Sequence, residues 1–264
     1  MKLNEIPVVI LAGGMGMRLR EQTEFKPKPM VQIGNKPILW HIIKIYAYYG
    51  FKNFIICLGY KGEIIKDYFL RYRVINSDFS IETGEVEKIS FFKKKSTENW
   101  KITLVNTGLE TMTGARIKKI ENLINSPHFF LTYGDGVANI NIRKLMDFHI
   151  AHKKAATVTG VRPPARFGEL IVDGKKVAKF SEKSQVSGGI INGGFFVFSR
   201  KVFKYLSKDE NCALEKEPLE MLARDAELMF YWHNGFWQCM DTMRDFLLLN
   251  KLWDKGKAPW KIWE

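Results

Sequence analysis

Apolar residues along this chain gather in short runs closed by glycine, and the period within the runs changes from one to the next. Pro7-Val8-Val9-Ile10-Leu11-Ala12 is an unbroken β-rich run that stops at Gly13-Gly14, the pattern of a strand covered on both faces. Between Pro37 and Tyr49 the apolar positions Ile38, Trp40, Ile42, Ile45 and Tyr48-Tyr49 return at helical spacing, and Gly50 supplies a C-terminal stop. Asn53 to Leu58 repeats the buried-strand pattern and ends at Gly59, and Glu63 to Tyr72 is amphipathic and helical. Strand, helix, strand, helix in that order predicts a parallel sheet wound with helices.

The pattern loosens between Ser77 and Val105. There Phe79-Ser80-Ile81, Ile89-Ser90-Phe91-Phe92 and Lys101 to Val105 alternate with Gly, Asn and a Lys93-Lys94-Lys95 run, and they read as strands and hairpins inserted into or flanking the main sheet. Thr113 to Asn122 is predicted helical, Phe129 to Tyr133 a buried strand ending at Gly134-Asp135-Gly136, Asn141 to Lys154 a helix and Ala156 to Val161 a strand. Antiparallel-looking pieces follow: Gly168 to Val172, the Asp173-Gly174 turn, Val177 to Phe180 and Phe195 to Phe198. Val202 to Leu206 and Pro218 to Asp225 read as helices, Leu228 to Trp232 as a strand and Thr242 to Trp253 as a last helix. No internal repeat or low-complexity linker appears. Residues 1–264 are therefore predicted to form one α/β domain, a Rossmann-like, mixed but mostly parallel sheet flanked by helices, with a small β-rich region inserted at about 74–105.

Composition narrows the class. With 264 residues, 46% hydrophobic and 26% charged, the chain can bury a sizeable core, which excludes disorder, collagen and a disulfide-stapled mini-fold. Cys57, Cys212 and Cys239 are widely spaced and form no C-x-x-C pair, so reduced thiols in the cytoplasm are expected rather than a secreted framework or a zinc site. The apolar run after Met1 is too short for a signal peptide, and the most apolar helix, broken by His41 and Lys44, is too short to span a bilayer. The net charge of +13 points to an acidic visitor, which could be nucleic acid, an anionic membrane or a phosphorylated small molecule.

The glycine loop decides among these. Leu11-Ala12-Gly13-Gly14-Met15-Gly16-Met17-Arg18-Leu19 follows the first strand directly, and successive backbone N–H groups in such a loop can cradle phosphate. A Walker A loop would end in Gly-Lys-Ser/Thr. A dinucleotide fingerprint would carry a third glycine where Leu19 stands and an acidic residue where Gly59-Tyr60 stand. Neither is present. A dozen residues on, Lys26-Pro27-Lys28-Pro29-Met30 holds two lysines on a stiff, proline-braced segment.

These residues resemble the sugar-1-phosphate nucleotidyltransferases, with their G-G-x-G-T-R-L loop and following K-P loop. The likeness extends through Gly34-Asn35-Lys36-Pro37, Gly59-Tyr60-Lys61-Gly62, Thr111-Met112-Thr113-Gly114, Gly134-Asp135-Gly136, Gly235-Phe236-Trp237-Gln238, Met240-Asp241-Thr242 and Gly256-Lys257-Ala258-Pro259-Trp260. It is weakest between Val74 and Trp100. Within the family it is similar to members that join CTP and glucose 1-phosphate into CDP-glucose and pyrophosphate. The resemblance implies the nucleotide-diphospho-sugar transferase type of sheet, Mg²⁺ as cofactor and a homo-oligomer of hexameric form, with a sugar-binding half at about 156–240 and a C-terminal helix and tail at 241–264.

The resemblance also assigns roles. Leu11, Ala12, Gly13, Gly14, Met15, Gly16, Met17, Thr111 and Gly134 surround the nucleotide, Arg18 steadies the leaving pyrophosphate, Lys28 contacts phosphate near the reacting centre, and Arg116 lies near the nucleotide. Asp135 and Asp241 hold Mg²⁺, for which hard oxygen ligands are suited. Glu182, Lys183, Asn192 and Gly193 take the sugar phosphate. The residues alone leave alternatives open: Asp135 as a turn aspartate, Asp241 as the N-cap of the last helix with Thr242 and Asp245, and Asn192-Gly193 as a hairpin turn. Two positions depart from the family pattern, Met17 where it has Thr and Ser184 where it has Pro. His149 and His152 share a helix face without a third ligand, which favours a core or surface role over zinc. Uridylyl or thymidylyl transfer and a non-catalytic nucleotide-sugar sensor stay as alternatives. Nucleic-acid binding rests on charge alone, and no membrane partner is expected.

Overall fold

Seven of the apolar runs assemble into one sheet. The computed structural model describes residues 2–84, 88–92, 98–163, 169–173, 176–181 and 189–264. The sheet strands are β1 (Pro7–Ala12), β2 (Asn53–Leu58), β3 (Lys101–Asn106), β4 (His128–Tyr133), β5 (Ala156–Val161), β6 (Ile191–Ser199) and β7 (Leu228–Trp232), arranged β7-β5-β6-β4-β1-β2-β3. β1 runs parallel to both neighbours, with Val8 opposite Phe54 on one side and Phe130 on the other. β3 is parallel to β2, and β7 is parallel to β5. β6 runs antiparallel to both β4 and β5, so it alone is reversed.

All six residues of β1 are buried, as a strand in mid-sheet with both faces covered must be. The two-residue side-chain period deals them to two cores. Val8, Ile10 and Ala12 join a cluster with Ile42, Ile45 and Leu145, from helices α1 (Ile38–Tyr48) and α4 (Ile142–His152). Val9 and Leu11 join the opposite cluster with Ile117 and Leu222, from α3 (Thr113–Lys119) and α5 (Glu217–Arg224). Helix α2 (Gly62–Leu70) follows β2, and α6 (Met243–Asp254) packs Leu249 into the first cluster. The mostly parallel, helix-flanked sheet expected from the patterning is what forms.

Several local expectations change. The predicted Glu63–Tyr72 helix is two, since α2 ends at Leu70 and a short helix resumes over Tyr72–Asn76. Of the pieces expected to insert into or flank the main sheet, Lys101–Asn106 forms its edge strand, while Phe79–Glu82 and Lys88–Phe91 pair as a separate hairpin. Asn192-Gly193 is not a hairpin turn, because both lie within β6, which starts at Ile191 and sets Asn192 opposite Gly160 of β5. Arg200–Tyr205 is a 3-10 helix rather than an α-helix. Glu169–Asp173 and Lys176–Ser181 form the expected antiparallel hairpin; the glycine of its Asp173-Gly174 turn, Lys93-Lys94-Lys95 and Glu182, Lys183 and Ser184 lie outside the described residues.

Two histidines are sealed into the cores. The Trp260 Nε1–H donates to His41 Nδ1 at 3.4 Å, which leaves the His41 Nε2–H to donate to the Ile33 carbonyl at 3.1 Å. Burial holds His41 down to about 4, against the weaker opposing effect of its backbone bonds. His149 bonds Thr157 Oγ1 through Nδ1 (2.8 Å) and His128 Nδ1 through Nε2 (3.2 Å), and His152 reaches the same Thr157 hydroxyl at 2.7 Å. Burial, with His128 and His152 adding to it, lowers His149 to about 3. The pair on the helix face thus serves the core. Among the described residues no group of three or more His, Cys, Asp or Glu could hold a metal ion, and no helix is long and apolar enough to cross a membrane.

Candidate active site

The site forms beyond the carboxyl ends of β1 and β4, where open α/β sheets place their ligands. After β1 the chain enters the glycine loop. The Gly13 carbonyl accepts from Tyr60 N–H at 3.1 Å and from Arg116 Nη2 at 3.3 Å, and a Cβ on Gly13 would stand 2.3 Å from Arg116 Cζ. A side chain there would displace the Arg116 guanidinium. Gly16 sits at φ +65, in the left-handed region, and a Cβ on it would meet Thr23 Cγ2 at 3.0 Å and Lys28 Cβ at 3.1 Å, so this glycine admits the lysine stem beside the loop.

Lys28 lies in a 3-10 turn, Lys28–Met30, entered through Pro27. It is buried, and its ammonium donates to Asp135 Oδ2 at 2.6 Å and also to Asp241 Oδ1. Arg18, largely exposed, reaches Asp241 Oδ2 at 2.9 Å. Burial disfavours the Lys28 charge, yet Asp135 and then Asp241 outweigh it and hold the ammonium above its ordinary range. Two carboxylates from distant parts of the chain thus converge on one cation.

Two pieces of local structure bring them there. The short strand Gly136–Ala138 pairs with Trp237–Cys239, setting Gly136 opposite Cys239, and Met240 N–H donates to the Asp135 carbonyl at 2.8 Å. Helix α6 then begins with a capping box in which Thr242 Oγ1 accepts from Asp245 N–H and the Asp245 carboxylate accepts from Thr242 N–H. The N-cap is therefore Thr242. Asp245 Oδ2 also accepts from Asp241 N–H at 3.1 Å, so the cap fixes the Asp241 backbone and leaves its side chain to Lys28 and Arg18.

Two clefts meet at this cluster. One, of about 400 Å³, is walled by the glycine loop, Lys28, Thr111, Thr113, Arg116 and Gly134. The other, of about 530 Å³, is walled by Gly136, Asn192, Gly193, Trp237, Cys239, Asp241 and Arg244. Arg18, Tyr133 and Asp135 belong to both walls.

A family model for nucleotidyl transferases matches residues 7–253. The chain is 50% identical over 257 residues to glucose-1-phosphate cytidylyltransferase of Salmonella typhi, spanning 97% of this chain and 99% of that protein. The chain belongs to the nucleotidyl transferase family. It is also 49% identical, over the same share of each chain, to the probable glucose-1-phosphate cytidylyltransferase of Bacillus subtilis. The fold matches the crystal structure of HddC from Yersinia pseudotuberculosis at a TM-score of 0.68, with 23% identity, covering 94% of this chain and 99% of that one. A UDP-glucose pyrophosphorylase complexed with UDP-glucose matches at 0.67, with 14% identity, over 95% and 99%.

Measured against this nucleotidyl transferase framework, the residues singled out in the sequence mostly gather at the two clefts. Leu11, Ala12, Gly13, Gly14, Gly16, Met17, Arg18, Lys28, Thr111, Arg116 and Gly134 wall the first, while Met15 is exposed and no part of that wall. Arg116 is buried and committed to protein acceptors: besides Gly13 it reaches the Leu58, Gly108 and Leu109 carbonyls and Thr107 Oγ1. It braces the loop from behind. Asn192 and Gly193 wall the second cleft, where Trp237 Nε1 donates to the Gly193 carbonyl at 2.7 Å. Tyr133, Trp237, Cys239 and Arg244 line the clefts without having been singled out. Tyr133 and Trp237 had a visible signal, the one in its place just before Gly134-Asp135-Gly136 and the other within the Gly235-Phe236-Trp237-Gln238 likeness.

The donor set suits a hard divalent cation. Carboxylate oxygens of Asp135 and Asp241 already converge on a single positive centre, and Mg²⁺ is commonly held by one or two carboxylates, with water and substrate phosphate completing its shell.

Proposed function

We propose that the chain transfers a cytidylyl group from CTP to glucose 1-phosphate, releasing pyrophosphate and forming CDP-glucose. The supporting observation is the Lys28 ammonium held between Asp135 and Asp241 where two clefts join, in a chain half identical to a glucose-1-phosphate cytidylyltransferase over nearly its full length. A two-substrate anionic reaction needs that layout. The nucleotide belongs in the cleft of the glycine loop and the sugar phosphate in the cleft of Asn192 and Gly193.

In the step itself an oxygen of the sugar phosphate forms a bond to the α-phosphorus of CTP. The bond from that phosphorus to the oxygen bridging to the β-phosphorus breaks, and pyrophosphate leaves with the electron pair. The attacking oxygen is already ionised near pH 7, so no general base is needed. What the protein supplies is alignment and positive charge. Glycine-loop N–H groups and Arg18 hold the departing phosphates, and Lys28 meets charge at the reacting centre. Asp135 and Asp241 would hold Mg²⁺, which when bound supplies charge neutralisation and orientation.

Pyrophosphate release is measured with glucose 1-phosphate and CTP, UTP, dTTP, ATP or GTP in turn, with Mg²⁺ and with chelator. The expected result is a rate with CTP at least tenfold above the others and abolished by chelator. Equal rates with all five would remove the cytidylyl assignment. Release with none would remove transfer itself.

A further inference from the structure

One hydrogen-bonded chain joins the walls of the two clefts. Tyr133 belongs to both. Its hydroxyl donates to Glu215 Oε1 at 2.6 Å, and the other oxygen of the same carboxylate accepts from Thr113 Oγ1 at 2.5 Å. Thr113 lines the glycine-loop cleft. On the far side, Asn192 Nδ2 donates to the Tyr133 hydroxyl at 3.4 Å, in the other cleft.

The donor directions around this chain are determined. A carboxylate only accepts, so both hydroxyl hydrogens point at Glu215. The Thr113 oxygen in turn accepts from Leu214 N–H at 2.9 Å. With its hydrogen committed, the Tyr133 oxygen can only accept, which turns the amide nitrogen of Asn192 toward it. The amide oxygen is then left to accept from Gly194 N–H at 2.8 Å. The tyrosine ring has little freedom either: Gly194 sits at φ +78, and a Cβ on it would stand 2.7 Å from Tyr133 Cδ2.

Glu215 is the weak link, because it is exposed and an exposed glutamate loses much rotamer freedom when held in one place. A ligand that immobilises the shared wall from either cleft bears that ordering cost, and the second ligand meets a wall already set. Such sharing of an ordering cost gives positive coupling between sites.

We propose that Thr113, Glu215 and Tyr133 form a bridge that couples occupancy of the two clefts, with Glu215 and Tyr133 as positioning residues. The proposal rests on the assignment of one cleft to the nucleotide and the other to the sugar phosphate. It adds to that assignment a reason why two anions bind side by side in spite of their repulsion.

The test is calorimetric binding of α,β-methylene CTP, which cannot release pyrophosphate, to the full chain with Mg²⁺, with and without saturating glucose 1-phosphate. In the wild type, glucose 1-phosphate is expected to tighten binding at least about fivefold, the lower end of ordinary coupling. Glu215→Ala and Tyr133→Phe should each bring that factor below about twofold, and the double variant should go no further. Glu215→Gln should restore part of it, because its amide oxygen still accepts from Tyr133. A merely structural role would weaken both affinities and leave their ratio untouched. A wild-type factor of one, or the full factor kept in Glu215→Ala, overturns the bridge. Pyrophosphate release by the wild type from CTP and glucose 1-phosphate separates the two failures. With release but no coupling, the bridge alone falls; without release, the cleft assignment falls and takes the bridge with it.

Discussion

Lys28 is the side chain on which the site turns. Its ammonium separates two carboxylates that would otherwise face each other across a few ångströms, and it meets phosphate charge in the proposed reaction. Replacing it with methionine keeps the stem and removes the charge. Steady-state pyrophosphate release should then show kcat/KM lowered by roughly 10²–10³, the usual cost of losing one preorganised electrostatic contact to a transition state. The thermal midpoint should fall as well, since like charges are left unbalanced at Asp135 and Asp241, and millimolar Mg²⁺ should recover part of that loss. An unchanged rate would remove Lys28 from the chemistry. Glycine and proline punctuation made this residue legible in the sequence, as it did the loop around Arg18. The work of Arg116 was not legible. Four of its five partners are backbone carbonyls of Gly13, Leu58, Gly108 and Leu109, and carbonyls carry no residue signature.

Helix α6 shows how an element start can serve a site. Its capping box sets Thr242 as N-cap, and the same Asp245 oxygen that closes the box also takes the Asp241 N–H. Asp245→Ala should therefore act twice. Loss of a cap costs about 1 kcal/mol of stability, read as a lowered thermal midpoint. Loss of the Asp241 anchor should raise the Mg²⁺ concentration for half-maximal rate several-fold. A stability loss with an unmoved Mg²⁺ requirement would mean that Asp241 is placed by something else. The capping pattern was visible in the sequence, though Asp241 competed with Thr242 for the cap until the hydrogen bonds settled it. Other elements were legible only as pieces. Asn192-Gly193 has turn chemistry, yet Ile191 and Asn192 pair with Val161 and Gly160 of β5 and carry β6 through it, tertiary contacts overriding local preference. Lys101–Asn106 looked like part of an insertion, because nothing in its half-polar composition names β2 as its partner.

Across the whole molecule, the neutral histidines tie stability to pH. His41 and His149 are held at about 4 and about 3, chiefly by burial, against about 6.5 in an unfolded chain. Below pH 6.5 the unfolded state therefore binds protons that the folded state refuses. Each such group removes stability at up to about 1.4 kcal/mol per pH unit until its folded value is reached. Thermal midpoints by circular dichroism should fall steadily from pH 7 to pH 5, and a His41→Gln variant should show a shallower slope. A flat profile would contradict the buried neutral state. The mostly parallel, helix-flanked sheet followed from alternating strand and helix signals, while its strand order emerged only in the structure. The histidine contacts did not, since His128, His149 and Thr157 approach one another only after β4, α4 and β5 have packed. Most of the +13 charge lies away from the clefts, where its effect is limited to steering anions.

The contact between Lys28 and Asp241 spans 213 positions of sequence, and that interval has a meaning in time. A ribosome working at about 5–20 residues per second needs roughly 10–40 s to travel it. For that period a nascent chain carries its glycine loop, Lys28 and, later, Asp135, but not the second carboxylate. It can gather the glycine-loop cleft while the carboxylate pair around Lys28 is incomplete. The Lys28–Asp241 contact is thus among the last in the molecule to become possible, and the proposed site closes only after residue 241 has been made.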